Sequence, residues 1–318
     1  MDMNTERRRI PLYKVRLFGE KIGDTFSFVG ENLKPMLKWT TCVLLPLALL
    51  LALVASRYLN AVISMGQQAG QPSFDNLSTF IFWYVALILV ALLIATVMPA
   101  LIYGLMRIYA EREQRLRGLT WAEIKPVFMK LLKRSLILMV TVTILAIVIV
   151  AAFGALVALL ASSGLNRAIG VLAIFLLTVA FMIFIVPFTL ATPIYLFEDN
   201  ISVMGALKKS FRLCMRTWWG IIGVAIVLGI IVGMIVTVVS MPYTIALLAK
   251  ISFFADGGGE SFVNTMGFSV MLGILSFFTC LMAYLCYTVL YVGYAYQYGH
   301  TAAKVDHVNS DDQEIQYE

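Results

Sequence analysis

Residues 201–220 read ISVMGALKKSFRLCMRTWWG and lie between two long apolar stretches of the chain. At 100° per residue, Met204, Leu207, Phe211, Cys214 and Trp218 fall on one face of a helix, within about 80°. Basic side chains occupy the flank of this face, and a pair of tryptophans ends the segment: Lys208, Lys209, Arg212, Arg216, Trp218 and Trp219. The pattern predicts an amphipathic helix with a basic flank.

The composition around this segment is that of a membrane protein. Hydrophobic residues make up 61% of the 318-residue chain and charged residues only 13%, whereas soluble domains average about 25% charged residues. A bilayer core about 30 Å thick needs roughly 20 apolar residues for a helical crossing. Six stretches approach or exceed this length, and they are 39–56, 79–106, 135–161, 168–196, 219–247 and 267–297. We therefore expect an all-α integral membrane protein with six transmembrane helices.

The distribution of lysine and arginine predicts the orientation of the chain. Segments on one side of the expected spans hold 21 of the 24 basic residues, and these segments are 1–38, 107–134, 197–218 and the C-terminal tail. By the positive-inside rule, that side is cytoplasmic, as are both termini. Because the basic residues flank spans, anionic lipid headgroups are expected as partners and nucleic acid is not.

Three cytoplasmic segments share one design, in which apolar residues at helical spacing and basic residues precede a span. They read KIGDTFSFVGENLKPMLKW (21–39), TWAEIKPVFMKLLKRS (120–135) and the segment 201–220. The design predicts three helical hairpins, each preceded by an amphipathic interfacial helix. We expect a cytoplasmic N-terminal segment, 1–38, a six-span membrane domain, 39–297, and an acidic disordered tail, 298–318.

The ends of two of these helices carry capping signals. Thr120 and Glu123 have the spacing of a capping box at the start of the second segment. In the third, Asn200 or Ser202 is suited to the N-cap, and Glu198 and Asp199 stand near the positive end of the helix dipole. Two interpretations of the basic flank stay open: an ordinary topology anchor, or recognition of anionic headgroups or a partner protein. Each basic residue near an anionic surface contributes about 1 kcal/mol.

The spans show no catalytic pattern. None of the six contains Asp, Glu, Lys, Arg or His, which counts against proton-coupled transport. The two histidines, His300 and His307, lie near the C-terminus, and no base shares the depth of a serine or cysteine nucleophile. We therefore expect a protein that is not an enzyme and that uses no metal and no cofactor.

The last span carries a stripe of tyrosines at spacings of three and four residues: Tyr284, Tyr287, Tyr291, Tyr294 and Tyr298. Two interpretations of this stripe are open. It packs against neighbouring helices, or Tyr284, Tyr287 and Tyr291 line a polar crevice, since buried phenol groups require hydrogen-bond partners. The residues expected across such a crevice are Thr96, Tyr103, Thr189 and Thr192.

The sequence from 198 to 219 resembles a motif in a broad bacterial group of multi-pass membrane proteins. This group includes small proteins of unknown function and the membrane domain attached to some glycerophosphoryl diester phosphodiesterases. The matching residues are Glu198, Asp199, Ala206, Leu207, Lys208, Lys209, Ser210, Phe211 and Trp218. The resemblance implies a bacterial inner-membrane protein built as a helical bundle with interfacial helices. The chain lacks a soluble phosphodiesterase domain, so that activity is not expected.

These observations favour a non-enzymatic inner-membrane protein that engages lipids or a partner protein. The alternative is a transporter or lipid translocator with a polar crevice along the last span. The expected partners are anionic headgroups at the cytoplasmic face, together with a partner protein or a second copy of the chain.

Overall fold

The computed structural model describes residues 9–67, 74–112, 115–162, 167–255 and 265–308, and every regular element in these ranges is a helix. In chain order the elements are α1 (Phe18–Glu31), α2 (Leu33–Gln67), α3 (Phe74–Glu111), α4 (Trp121–Ser162), α5 (Arg167–Ile185), a 3₁₀ segment (Val186–Leu190), α6 (Ala191–Phe197), α7 (Val203–Ala255) and α8 (Met266–Val305). The prediction of an all-α fold is confirmed.

Five of the described helices are long and apolar enough to cross a membrane, and they are α2, α3, α4, α7 and α8. The fourth stretch predicted to span, 168–196, is divided into α5, the 3₁₀ segment and α6. Pro187 and Pro193 fall within the divided part, and each removes a backbone N–H from the helical ladder. A sixth span therefore stays a prediction, while the five helices named above have the length and apolar composition that a membrane crossing requires.

Side chains fix the beginnings and ends of several helices. The Ser202 hydroxyl accepts a hydrogen bond from the Gly205 N–H at 3.1 Å, which confirms Ser202 as the N-cap of α7. The Glu123 carboxylate accepts one from the Thr120 N–H at 2.8 Å, as a capping box requires. Between α1 and α2, the Asn32 amide donates to the Phe28 carbonyl at 3.0 Å.

Helix α7 contains a break at Thr217, whose φ of −133° and ψ of 28° lie outside the helical region. The Thr217 hydroxyl donates to the Leu213 carbonyl at 3.0 Å, a local bond that competes with the regular helical ladder. The break separates an amphipathic part, 203–216, from an apolar part, 218–255. The amphipathic segment 120–135 has no such division, because α4 continues unbroken from Trp121 to Ser162. The three segments therefore differ in backbone structure, and their placement at a membrane interface stays a prediction.

The chain forms two compact units. The first unit comprises residues 1–25, 99–225 and 292–318, and the second comprises 26–98 and 226–291. In the second unit, Ala246, Phe268 and Leu272 form a buried cluster. The core of the first unit joins the end of α3 to α4, α6 and the end of α8, and its buried side chains include Leu101, Ile124, Leu131, Ile194 and Tyr298.

Helix α8 continues to Val305, beyond the predicted start of the tail at residue 298. The predicted boundary is wrong because Tyr298, Thr301 and Ala302 are buried in the first unit and continue the helical face of the span. Residues 309–318, the rest of the predicted acidic tail, lie outside the described residues.

The N-terminal segment 9–17 crosses α8 at Gly299. A Cβ at this position would overlap the carbonyl group of Leu12, so the close approach requires glycine. The adjacent Tyr298 contacts Tyr13, with the two hydroxyl oxygens 3.3 Å apart. Arg9 donates to the carbonyl groups of Ala110 and Arg112 at the end of α3, at 3.4 and 3.2 Å.

Replacing Gly299 by alanine is expected to lower the free energy of unfolding by about 1–3 kcal/mol, because the added methyl displaces the segment 9–17. Unfolding of the purified protein in detergent micelles measures this change. Gly273→Ala on the same helix is the matched control, since no atom of the described neighbouring residues lies within 4 Å of the added methyl there, and it should leave stability unchanged or raise it. Equal stability of the two variants would contradict the close contact.

Candidate functional site

The turn between α6 and α7, residues 198–202, is the centre of a charged network in the first unit. Helix α6 ends at Phe197, and its last carbonyl groups lack partners within the helix. The guanidinium group of Arg134 donates to the carbonyl groups of Tyr195, Glu198 and Asp199 at 2.6, 2.7 and 2.6 Å. It also lies 4.3 Å from the centre of the Tyr195 ring. Arg134 therefore caps α6 and holds the turn against α4.

The Asp199 carboxylate accepts hydrogen bonds from two other helices. Arg107 of α3 donates to it at 3.1 and 3.3 Å, and Lys130 of α4 donates at 2.8 Å. Burial raises the pKa of Asp199, but the hydrogen bonds and charges of Lys130 and Arg107 outweigh this effect, so the pKa lies below its ordinary value of 3.8. Arg107 also donates to the Phe197 carbonyl at 2.8 Å.

The neighbouring Glu198 carboxylate joins the turn to α7 and α8. It accepts hydrogen bonds from the Lys209 ammonium at 2.7 Å and from the Tyr298 hydroxyl at 2.5 Å. Lys209 also lies 3.2 Å from Asp306 at the end of α8, and Asp306 pairs with Arg212 at 2.8 Å. The turn thus connects α3, α4, α7 and α8 through charged side chains.

A second group of charged residues surrounds Arg16, whose side chain is buried. Its Nε donates to Asp24 at 2.7 Å, and its Nη1 donates to the carbonyl groups of Leu12 and Lys14 at 2.9 and 3.2 Å. The Arg16 backbone N–H donates to Nδ1 of His300 at 3.0 Å, so that nitrogen carries no proton. These bonds fold the segment 9–17 onto the end of α8.

Lys21 of α1 is buried in the same unit. Burial, and then the positive charges of Lys304 and Arg16, lower the pKa of Lys21 from 10.5 to about 8. In the sequence, Lys21 is one of the basic residues of the segment 1–38, and its pattern predicts no other role for it. The sequence signal for the burial of Lys21 is its position four residues, about one helical turn, before Thr25, which is also buried.

The six residues predicted to bind lipid or a partner occupy different surroundings. Lys208, Arg216 and Trp219 are exposed, and Trp218 is half-buried. Lys209 and Arg212 form the ion pairs described above. Within the described residues, Lys208 and Arg216 form no ion pair.

The residues of the apolar face predicted for 203–216 do not share one environment within the protein, and the placement of that face against a membrane stays a prediction. Leu207 and Cys214 are buried, but Met204 and Phe211 are exposed, and Leu213 is buried instead. Small side chains on the packed side explain the difference, since they allow close approach of neighbouring helices. These side chains are Ala206, Ser210 and Cys214.

The residues of the tyrosine stripe do not share one environment. Tyr284 is buried, Tyr287 is exposed, and Tyr291 is half-buried. A cavity of about 30 Å³ in the second unit is lined on α8 by Leu285 and Thr288 and not by the stripe. The crevice therefore stays a prediction.

These features define the class of the protein: a multi-pass α-helical membrane protein with a charged network joining the ends of its helices in one unit. Among the described residues, no group of three or more His, Cys, Asp or Glu side chains is placed to hold a metal ion. No protein-family model, no curated protein and no solved structure matches the chain.

Replacing Asp199 by asparagine is expected to lower the free energy of unfolding at pH 7 by about 1–3 kcal/mol, because charge-assisted hydrogen bonds from Arg107 and Lys130 are lost. Unfolding in detergent micelles measures this loss. Asp75→Asn is the matched control, since Asp75 is exposed at the start of α3. A similarly small effect of both substitutions would show that the network contributes little.

Acid gives a second test of the same carboxylate. The pKa of Asp199 is depressed in the folded protein, so the carboxylate contributes fully to stability at pH values above its ordinary pKa of 3.8. That contribution is lost as the pH falls through the lower, folded-state value. The stability difference between the unsubstituted protein and Asp199→Asn should therefore close below pH 3.8. A difference that persists unchanged there would assign the effect to something other than charge.

Proposed function

We propose that the protein is a non-enzymatic component of the bacterial inner membrane whose cytoplasmic face binds anionic lipid headgroups. The observation that carries the proposal is an outward-facing stripe on 203–219. Its apolar members are Met204, Phe211, Met215 and Trp219, exposed by 54, 43, 60 and 83%. We call this set, together with Lys208, Arg212 and Arg216, the interface stripe.

The helical geometry supports a membrane interface. From Met204 to Met215 the spacings are four, three and four residues if Lys208 is included, so these positions lie along one side of the helix before the break at Thr217. Arg212 and Arg216 continue around the basic flank. A helix that exposes aromatic and methionine side chains beside cations suits the boundary between acyl chains and headgroups.

Two cations of the interface stripe are suited to recruiting lipid. Lys208 and Arg216 are exposed, and within the described part of the chain neither forms an ion pair. Near an anionic leaflet each contributes about 1 kcal/mol. Arg212 is 57% exposed on its side chain but already pairs with Asp306 at 2.8 Å, so its gain from a headgroup is smaller.

The break at Thr217 supports the same proposal. It ends the regular helical geometry between the basic part of α7 and its apolar part. A change of direction there allows the basic part to follow the membrane surface while the apolar part crosses it. The resemblance of 198–219 to bacterial multi-pass proteins is consistent with the inner membrane, and the distribution of basic residues favours its cytoplasmic leaflet.

The alternative, a translocator with a crevice along the last span, requires Tyr284, Tyr287 and Tyr291 to share one polar surface. Their different exposures give that alternative less support than the interface stripe gives to lipid binding. A protein partner on the interface stripe is an outcome that the following experiment detects.

Replacing Lys208 and Arg216 together by glutamine is expected to reduce the preference for phosphatidylglycerol over phosphatidylcholine by about tenfold or more, because two contributions of about 1 kcal/mol are lost. The measurement is native mass spectrometry of the full chain after equilibration with mixed lipid micelles. Trp219→Ala should weaken retention of both lipids, since it removes apolar contact rather than charge.

Lys209→Gln is the matched control, because it removes one charge from the same helix but from an ion-paired position. It should lower stability with little effect on lipid preference. Unchanged lipid preference in the Lys208/Arg216 variant would contradict the proposal. Loss of a co-purifying protein from that variant, with lipid preference retained, would assign the interface stripe to a protein partner.

A further inference from the structure

Two buried polar side chains of the first unit meet at Gly220 of α7. Lys21 is 4% exposed and Gln297 is fully buried. A methyl group placed on Gly220 would lie 3.3 Å from Nζ of Lys21 and 3.4 Å from Nε2 of Gln297. Gly220 is itself half-buried, and the absence of a side chain lets Lys21 and Gln297 approach α7 closely at this point.

None of the described carboxylates compensates the positive charge at this point. Arg16 is neutralised by Asp24 at 2.7 Å, and the other charges that act on Lys21 are the positive charges of Arg16 and Lys304. Within the described ranges, no carboxylate pairs with Lys21 or with Lys304. Burying an ammonium group without a counter-charge is unfavourable, so the geometry favours an anion beside Lys21.

Gln297 adds a requirement for a hydrogen-bond donor. The Thr301 hydroxyl donates to the backbone carbonyl of Gln297 at 2.8 Å, and the side-chain Nε2 of Gln297 donates to that hydroxyl oxygen at 3.2 Å. This pair of bonds orients the side-chain amide. Its other atom, Oε1, is buried and has no hydrogen-bond partner in the part of the chain that the structure describes. An unsatisfied buried acceptor costs about 1–3 kcal/mol.

We propose that Lys21 and Gln297 bind a protonated phosphate group at Gly220, supplied by inorganic phosphate or by a phosphomonoester headgroup. A phosphate oxygen accepts from the Lys21 ammonium, and the P–OH group donates to Oε1 of Gln297. Sulfate and phosphodiesters carry the negative charge but have no P–OH at neutral pH. The ligand class therefore follows from one donor and one acceptor meeting in the same place.

This site is separate from the interface stripe. The stripe faces outward and is expected to bind any anionic headgroup, including the phosphodiester of phosphatidylglycerol. The site at Gly220 lies on the packed side of α7 and selects for P–OH. Neither proposal depends on the other.

The test uses the full chain in neutral detergent micelles. Equilibrium dialysis with labelled inorganic phosphate, alone and with excess sulfate, measures the free-phosphate source. Native mass spectrometry with phosphatidic acid and with phosphatidylglycerol measures the lipid source. We expect one bound phosphate group per chain, displaced poorly by sulfate, from at least one of the two sources. Binding in only one of these arms identifies the source.

Three variants locate the site. Lys21→Met removes the cation, and Gln297→Glu supplies an internal carboxylate to Lys21; each should weaken binding at least about tenfold, the effect of losing one charge-assisted hydrogen bond. Gly220→Ala should weaken it, since the added methyl displaces Nζ of Lys21 and Nε2 of Gln297. Gly229→Ala, where none of the described neighbouring residues has an atom within 4 Å of the added methyl, is the matched control and should bind as the unsubstituted protein does.

Several results would overturn the proposal. They are the absence of binding in both arms, unchanged binding by Lys21→Met and Gln297→Glu, and equal competition by sulfate or phosphatidylglycerol at the Lys21-dependent site. The Lys208/Arg216 variant should retain full phosphate binding. Its loss of phosphatidylglycerol preference would then report on the interface stripe alone, so the two proposals fail separately.

Discussion

The capping of α6 by arginine is the interaction on which the first unit depends. A short helix that ends inside a protein leaves carbonyl groups that must find donors. Arg134 and Arg107 supply these donors from α4 and α3. Because both guanidinium groups also lie beside Asp199, the same contacts fix the backbone of the turn and its carboxylate. With the turn fixed, Glu198 is placed to meet Lys209 and Tyr298, so α7 and α8 are positioned by the same element.

Features with short sequence separation were predictable. The helical character of the chain follows from its apolar stretches, and the caps at Ser202 and Thr120 follow from the spacing of donors and acceptors within one turn. The division of the fourth stretch had a visible signal in Pro187 and Pro193. Its location did not follow from sequence, because many prolines are accommodated within long helices, as Pro99 is in α3.

The network of ion pairs was not predictable from one sequence. Arg107 and Asp199 are separated by 92 positions, and Arg212 and Asp306 by 94. No helical period links such residues, since their meeting depends on how whole helices pack. The tail boundary failed for the same reason: residues 298–305 belong to α8 because Tyr298 and Thr301 find partners on other elements. Local polarity alone marked that segment as solvent-exposed.

The basic residues of 203–216 show why a count of basic residues overestimates the affinity of a segment for an anionic membrane. A cation that already has a carboxylate partner exchanges one anion for another when it meets a headgroup, so its net gain is small. Lys209, between Glu198 and Asp306, belongs to this class, and Arg212 belongs to it in part. Under the proposed function, Lys208 and Arg216 gain the full attraction of an anionic leaflet. The two buried cations differ in the same way. Arg16 has Asp24 as its carboxylate partner, whereas none of the described carboxylates compensates the charge of Lys21. A cation in a membrane protein therefore indicates an anionic ligand most strongly where the protein itself supplies no carboxylate partner for it.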